Sequence, residues 1–225
     1  MVAPDVSATL YRGVREQVTA AVRDLPDDQL AAVVPGCPLW SARDLLSHQA
    51  GVARDFVEGR LDGAPSPAWT AVHVETRNDQ SLGEILDEWE EYGTQLEDLI
   101  RSGSRKGRLL NNPYVDAGVH CADLSAVVPV GRPDREVWLA SLEFCLAHRK
   151  GDEPGSLRVV TEDVGYEIGE GDPAAEAKTE SYELFRAVYG RRSADQIAAW
   201  GWSGEPGAWL HELARLPQTS VDQRD

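Results

Sequence analysis

The chain contains the stretch Ser41-Ala-Arg-Asp-Leu-Leu-Ser-His48-Gln-Ala-Gly51, which has the pattern of an amphipathic helix with a clear start. Ser41 and Asp44 have the form of a capping box, in which each side chain accepts a hydrogen bond from the backbone of the other residue. His48 falls on the same helix face as Leu45, so we expect its imidazole to point inward. An unpaired imidazole would be costly there, which makes His48 a candidate metal ligand.

A second pair of possible ligands lies in the run Asp116-Ala-Gly-Val-His120. Residues four apart stack on one face of a helix, so Asp116 and His120 can aim an oxygen and a nitrogen at one point. With His48 as the third ligand, the site would keep an open position, which is typical of a catalytic rather than a structural zinc centre. Asp123 is placed to orient the His120 imidazole. The alternative is a solvated pair of Asp116 and His120 with no metal.

The other histidines and the cysteines have simpler interpretations. His148 is expected to be a cation at a helix C-terminus, His73 lies in a predicted loop without ligand spacing, and His211 is near a chain end. Cys121 directly follows His120 and would turn away from the metal point, so we expect a small buried residue. The three cysteines have no CxxC spacing, which favours reduced thiols over a disulfide framework or a zinc knuckle.

Apolar periodicity predicts a mainly helical chain. Helices are expected over residues 5–24, 41–59, 82–99, 114–127 and 134–148, with a helical turn at 27–33. The helix after Ser81 is the clearest, because Glu84 completes a capping box and an apolar stripe follows. Residues 63–79 are expected to form a proline-containing crossover, because they show no clear periodicity. The sequence has seven tryptophans, which are expected to anchor the core and not to form a substrate cage. Those on predicted helices or at their starts are Trp40, Trp89 and Trp138.

The pattern changes after Gly151. Residues 157–161 and 165–169 are typical of two short strands in a hairpin, and residues 174–188 and 194–200 are helical in pattern. The expected organisation is therefore a helical bundle over residues 1–150, a small α+β domain over 151–215 and a disordered tail over 216–225.

The composition excludes several classes of partner. The formal net charge is −16 without a concentrated basic cluster, which argues against nucleic acid or an anionic membrane as partner. The sequence has no apolar run long enough to span a membrane, and its start does not resemble a secretory signal. We therefore expect a cytoplasmic globular protein, and its 42% hydrophobic content suffices for a core.

Three runs of the sequence resemble one family. Residues 38–51, 116–124 and 157–171 together with 189–191 are similar to the mycothiol-dependent maleylpyruvate isomerase family of the DinB-like superfamily. The resemblance covers nearly the whole chain and implies a DinB-like four-helix bundle with a small α+β C-terminal domain. In the isomerase the carboxylate ligand is a glutamate, and Asp116, one methylene shorter, takes that place here.

The resemblance also implies a function. A divalent metal, usually zinc, would be bound by His48, Asp116 and His120, and a low-molecular-weight thiol such as mycothiol would take the open position. The thiol would then attack a small electrophile, giving isomerisation or S-transfer, so no nucleophile of the chain itself is expected. Arg158 and Arg191 are implied partners for carboxylates of the thiol or substrate. Two other functions stay open: a non-catalytic metal-binding or ligand-binding protein, and a metal-dependent hydrolase of the same superfamily.

Overall fold

A computed structural model describes residues 2–103, 113–149 and 155–225 of the chain. Its first part is helical, as the periodicity predicts. The helices are α1 (Pro4–Val22), α2 (Asp27–Leu30), α3 (Ala42–Glu58), α4 (Pro67–Glu75), α5 (Leu82–Arg101), α6 (Pro113–Leu124) and α7 (Arg135–Ala147).

Serine capping boxes begin the helices α3 and α5, as predicted. The Ser41 side chain accepts a hydrogen bond from the backbone of Asp44, whose carboxylate accepts one from the backbone of Ser41. Ser81 and Glu84 make the same reciprocal pair. Gly59 ends α3 with a φ of 76°, a left-handed conformation that glycine adopts without steric cost. These two caps fix the residues at which α3 and α5 begin.

The long helices pack side by side around an apolar core. Helix α5 lies against α1 and α3, and α6 contacts the same two helices. Trp89 is 1% exposed and donates a hydrogen bond from its indole Nε1 to the hydroxyl of buried Tyr11, at 3.0 Å. The same core holds the ion pair of Arg15 and Glu97, whose side chains are 2% and 1% exposed. The side chains on α3 and α6 are therefore positioned by a rigid scaffold of packed helices.

The prediction of a loop around His73 is wrong. Residues 67–75 form α4, with Ser66 accepting a hydrogen bond from the backbone of Trp69 and Pro67 in the first turn. The apolar side chains of this short helix are distributed on all sides of its axis. The sequence therefore shows no amphipathic stripe that would indicate a helix here. A serine followed by proline was the available signal for its start.

The second part of the chain contains a small sheet. Its strands are β1 (Leu157–Val160), β2 (Gly165–Ile168), β3 (Ala175–Lys178) and β4 (Gly201–Ser203), in the order β2-β1-β3-β4. The predicted hairpin is confirmed, because β1 and β2 pair antiparallel with Leu157 opposite Ile168. Strand β3 is parallel to β1 and antiparallel to β4. The short helices α8 (Ser181–Val188), α9 (Ala194–Ala198) and α10 (Trp209–Glu212) complete this part.

The single helix predicted over residues 174–188 is wrong in its first half. Ala175-Glu-Ala-Lys178 consists of good helix formers, yet it forms β3, with its two alanines buried and its two charged residues more accessible. Pairing with strands on both sides overrides the local helix propensity. Only residues 181–188 are helical.

The described chain divides into two compact units, which are the residues up to Val137 with Asp225, and Trp138–Arg224. This division falls inside α7, whereas the expected junction at residues 150 and 151 lies outside the described residues. Residues 216–225, expected to be a disordered tail, make specific contacts. Ser193 donates a hydrogen bond to Asp222 at 2.6 Å, and the side chain of Gln223 is buried.

Within the described residues, no helix combines the length and apolar composition needed to cross a membrane.

Candidate metal centre

The three predicted ligands lie together where α3 packs against α6. The Nε2 atom of His48 is 3.9 Å from one carboxylate oxygen of Asp116, and Nε2 of His120 is 3.6 Å from the other. The ligand atoms of the three residues all lie within 4.8 Å of one another. His48 points inward and is 3% exposed, as its position on the face of α3 predicts.

These separations fit a single small cation. Ligands about 2.0–2.1 Å from a tetrahedral Zn²⁺ are separated by about 3.3 Å, so the observed donor atoms would draw closer together around the ion. Two imidazoles and a carboxylate are also a donor set that zinc accepts. The Asp116 side chain is 36% exposed, whereas that of His48 is 4% exposed. The cluster is therefore reached from solvent on its Asp116 side.

The far edge of the His120 ring is held by Asp123. Nδ1 of His120 is 3.1 Å from the Asp123 carboxylate, whose residue is 1% exposed. This contact matches the orienting role predicted for Asp123, since it leaves Nε2 facing Asp116. Cys37 lies on the same edge, with its sulfur 3.8 Å from Nδ1, and its thiol donates to Asp123 at 3.6 Å. Cys37, His120 and Asp123 thus form a compact second cluster.

Gln49 positions the carboxylate of Asp116. Its side-chain Nε2 donates a hydrogen bond to Asp116 at 2.8 Å, and Gln49 itself is 3% exposed. Because Gln49 directly follows His48 on α3, one short segment supplies a predicted ligand and the partner of another. The sequence carries no separate signal for this role of Gln49, although the residue lies inside the run that predicts His48 as a ligand.

The sequence predicts a loop position without ligand spacing for His73, but α4 places this residue against His48. The two Nδ1 atoms are 3.1 Å apart, and Nε2 of His73 is 3.0 Å from the Asp55 carboxylate. His73 is 2% exposed and Asp55 is 8% exposed. The cluster therefore extends through a third histidine to a buried carboxylate on α3.

Two tryptophans border the histidines. The ring centroids of Trp40 and His48 are 4.8 Å apart, and those of Trp69 and His73 are 4.3 Å apart. Trp89 and Trp138 are buried core anchors, as predicted. Trp40, however, is only partly buried and borders the candidate centre, which the core interpretation missed.

The electrostatics of the two predicted imidazole ligands differ sharply. Burial lowers the pKa of His48 to about 3, against the opposing charge of Asp116. Burial also acts to lower the pKa of His120, but the Asp116 charge and the contacts with Asp123 and Cys37 outweigh it and raise the value to about 10. At neutral pH the His48 imidazole is therefore neutral and can bind a metal directly. The His120 imidazole is protonated, so a cation that binds there must displace a proton.

The two predicted arginines lie in the second unit. Arg158, on β1, has a side chain that is 53% exposed and lies 3.6 Å from the Glu176 carboxylate. Arg191 is 7% exposed and donates a hydrogen bond to the carbonyl of Tyr189 at 2.8 Å. Cys121 and Cys145 are each 1% exposed, which confirms that Cys121 is a small buried residue.

Comparison with solved structures identifies two similar chains. The crystal structure of the mycothiol-dependent maleylpyruvate isomerase has a TM-score of 0.63 and 15% sequence identity, covering 91% of this chain and 95% of that one. A mutant of that isomerase, in which alanine replaces a histidine, gives a TM-score of 0.62 with the same identity and coverage. At this identity the likeness shows the fold. No curated protein sequence matches the chain.

A family model provides the sequence-level evidence. The model described as the mycothiol maleylpyruvate isomerase N-terminal domain matches residues 11–125. These residues make up more than half of the chain, and they include all three predicted ligands together with His73 and Asp55. The chain therefore belongs to the mycothiol maleylpyruvate isomerase N-terminal domain family.

Proposed function

We propose that the protein is a metal-dependent enzyme that uses a low-molecular-weight thiol, mycothiol, to isomerise or conjugate a small electrophile. The observation that carries the proposal is the convergence of His48, Asp116 and His120 at separations of 3.6 and 3.9 Å, with an open side at Asp116. Family membership supports the thiol and the isomerase chemistry, because maleylpyruvate isomerases of this fold are mycothiol-dependent by name.

The residues present fit a divalent cation, and zinc suits their donor set. When bound, such a cation lowers the pKa of a thiol in its open position and supplies a thiolate at neutral pH. Asp123 holds the far edge of the His120 ring at 3.1 Å, so that Nε2 faces the centre. Gln49 steadies the Asp116 carboxylate in the same way. These neighbours keep the donor atoms in place before a cation arrives, which reduces the cost of binding.

The position of Cys37 supports a thiol supplied from outside the chain. Its sulfur approaches Nδ1 of His120, whereas the proposed metal position lies at Nε2 on the opposite edge of the ring. Its thiol also donates to Asp123. Cys37 is therefore oriented away from the open position and is not placed to act as the nucleophile.

We further propose that Arg158 and Arg191 bind carboxylate groups of the thiol or the electrophile. Arg158 is the more accessible of the two, because its side chain is about half exposed and its partner Glu176 is 3.6 Å away. A guanidinium binds a carboxylate through paired hydrogen bonds, so a small acidic ligand suits it. For Arg191 the family resemblance is the support.

The test combines metal analysis with turnover of the full chain. Purified protein loaded with Zn²⁺ is assayed with mycothiol against maleylpyruvate and against monochlorobimane, and without thiol against an ester as a control for hydrolysis. We expect thiol-dependent turnover of at least one electrophile. Asp116→Asn should lower zinc affinity by at least ~10-fold and reduce turnover in parallel, whereas Asp116→Glu keeps the carboxylate and should retain zinc.

Different outcomes separate the alternatives. Turnover of the ester without any thiol would support the hydrolase and contradict the proposal. Zinc binding without turnover of either electrophile in the presence of mycothiol would favour a metal-binding protein. Failure of the wild-type chain to bind zinc would overturn the metal centre itself.

A further inference from the structure

A continuous chain of contacts runs from the proposed metal centre to a buried carboxylate. Nδ1 of His48 lies 3.1 Å from Nδ1 of His73, and Nε2 of His73 lies 3.0 Å from Asp55. We call these three residues the His48–His73–Asp55 chain. All three are buried, with exposures of 3%, 2% and 8%. Solvent therefore cannot substitute freely for any of these contacts.

The order of donors and acceptors in this chain is set by its acidic end. A carboxylate only accepts hydrogen bonds, so Nε2 of His73 must carry a proton to bond to Asp55. In a neutral imidazole the other nitrogen is then an acceptor, so Nδ1 of His73 accepts. Nδ1 of His48 must therefore be the donor across the 3.1 Å contact. The remaining nitrogen of His48, Nε2, is left with its lone pair directed to the Asp116 side.

The opposite order is disfavoured. If Nδ1 of His73 carried the proton, its Nε2 lone pair would face the Asp55 carboxylate at 3.0 Å. Nε2 of His48 would then carry a proton and would be unable to bind a cation. The carboxylate thus selects, through His73, the tautomer of His48 that a metal requires.

The packing around His73 holds its ring against His48. A Cβ atom on Gly51 would lie 2.4 Å from Cγ of His73, so only glycine allows the ring to approach α3 this closely. Arg77 donates to the carbonyl of His73 at 2.8 Å, and the Trp69 ring meets the imidazole edge-on at 4.3 Å. The position of His73 is therefore fixed on several sides.

We propose that His73 and Asp55 are positioning residues that hold His48 with a proton on Nδ1, leaving Nε2 free to bind the metal. This inference rests on the proposed function, because the tautomer of His48 matters only if His48 binds a metal. The tautomer itself is set by the His48–His73–Asp55 chain before any metal binds. His73 does not touch the metal position and acts through His48. The expected effect on metal affinity is that of an outer partner of a ligating histidine, about 10-fold to 100-fold.

The first measurement reads the tautomer directly. The full metal-free chain is labelled with ¹⁵N-histidine, and long-range ¹H–¹⁵N spectra at neutral pH distinguish the two nitrogens of each of its five imidazoles. His48→Gln assigns the signals by their loss. We expect a proton on Nδ1 of His48 in the wild type. In Asp55→Asn the amide can also donate to His73, so we expect the selection to weaken and the protonated-Nε2 form of His48 to appear.

The second measurement is the affinity for Zn²⁺ alone. We expect His73→Leu to weaken zinc binding about 10-fold to 100-fold. His73→Asn should recover part of this loss, because its amide oxygen can accept from Nδ1 of His48, which a merely structural role would not require. The matched control is His211→Asn, which replaces an exposed imidazole of the second unit. Circular dichroism checks that each variant is folded, and Asp55→Asn provides a nearly isosteric change if His73→Leu does not fold.

Each result decides a separate claim. A proton on Nε2 of His48 in the wild type, or zinc affinity unchanged in both His73→Leu and Asp55→Asn, would overturn the positioning role. Absence of zinc binding in the wild type would overturn the proposed function, while the tautomer spectra would still support or contradict the order of the His48–His73–Asp55 chain.

Discussion

His48→Ala is expected to lower the affinity of the chain for Zn²⁺ by at least ~100-fold and to abolish thiol-dependent turnover. Substitution of an outer partner of a metal ligand costs about 10-fold to 100-fold in affinity, and removal of the ligand itself should cost no less than the upper end. The burial that lowers the pKa of His48 to about 3 keeps the imidazole neutral at neutral pH. The wild-type imidazole can therefore bind Zn²⁺ through a nitrogen lone pair without first losing a proton. Isothermal titration with Zn²⁺ measures the change.

The control must separate a lost ligand from a lost core residue. His48 is 3% exposed and contacts the Trp40 ring, so alanine also leaves a cavity. His48→Gln keeps most of the volume, and His211→Ala removes an exposed imidazole elsewhere. We expect loss of zinc in both His48 variants and none in the His211 variant. Wild-type affinity in His48→Gln would contradict ligation by His48.

Glu97→Gln is expected to reduce the free energy of unfolding by about 3 kcal/mol. Glu97 and Arg15 are both buried, and their charged atoms are 2.7 Å apart. Removing one member of a buried pair leaves an uncompensated charge and costs about 3–5 kcal/mol. We expect the lower end, because Arg15 also contacts Glu90. Urea unfolding measures the change, and Glu91→Gln, on the exposed face of the same helix, should change stability by less than about 0.5 kcal/mol.

The same pair predicts a dependence on pH. Burial acts to raise the pKa of Glu97, but hydrogen bonds from Arg12 and Arg15 outweigh it and hold the pKa below its ordinary value of 4.5. A carboxylate with a depressed pKa stabilises the fold above its unfolded pKa and loses this contribution as the pH falls through the folded value. The difference between wild type and Glu97→Gln should therefore be constant above about pH 5 and shrink below pH 4.5. A constant difference down to pH 3 would contradict this account.

The elements that the sequence predicted correctly are those with local signals. Capping boxes at Ser41 and Ser81 placed the starts of α3 and α5, and the four-residue spacing placed Asp116 and His120 on one face of α6. The inward position of His48 followed from the periodicity of α3. In each case a single helix carried enough information to orient its own side chains.

The features that the sequence did not predict depend on contacts between elements. His73 reaches His48 because α4 packs against α3 at Gly51, and no spacing within either segment indicates that contact. Strand β3 has a helix-forming sequence and owes its conformation to its neighbours β1 and β4. Cys37 and Asp123 meet across 86 positions of the chain. Such contacts form only when the fold brings distant segments together, so the sequence of either segment alone does not predict them.

The central claim is that His48, Asp116 and His120 hold a metal with an open position for a thiol. Its most direct test is the absorption spectrum of the Co²⁺-loaded chain during titration with mycothiol. We predict a new near-ultraviolet sulfur-to-cobalt charge-transfer band that saturates at one thiol per chain and is absent in His48→Gln. A cobalt spectrum that mycothiol leaves unchanged, or an equal band in His48→Gln, would contradict the account.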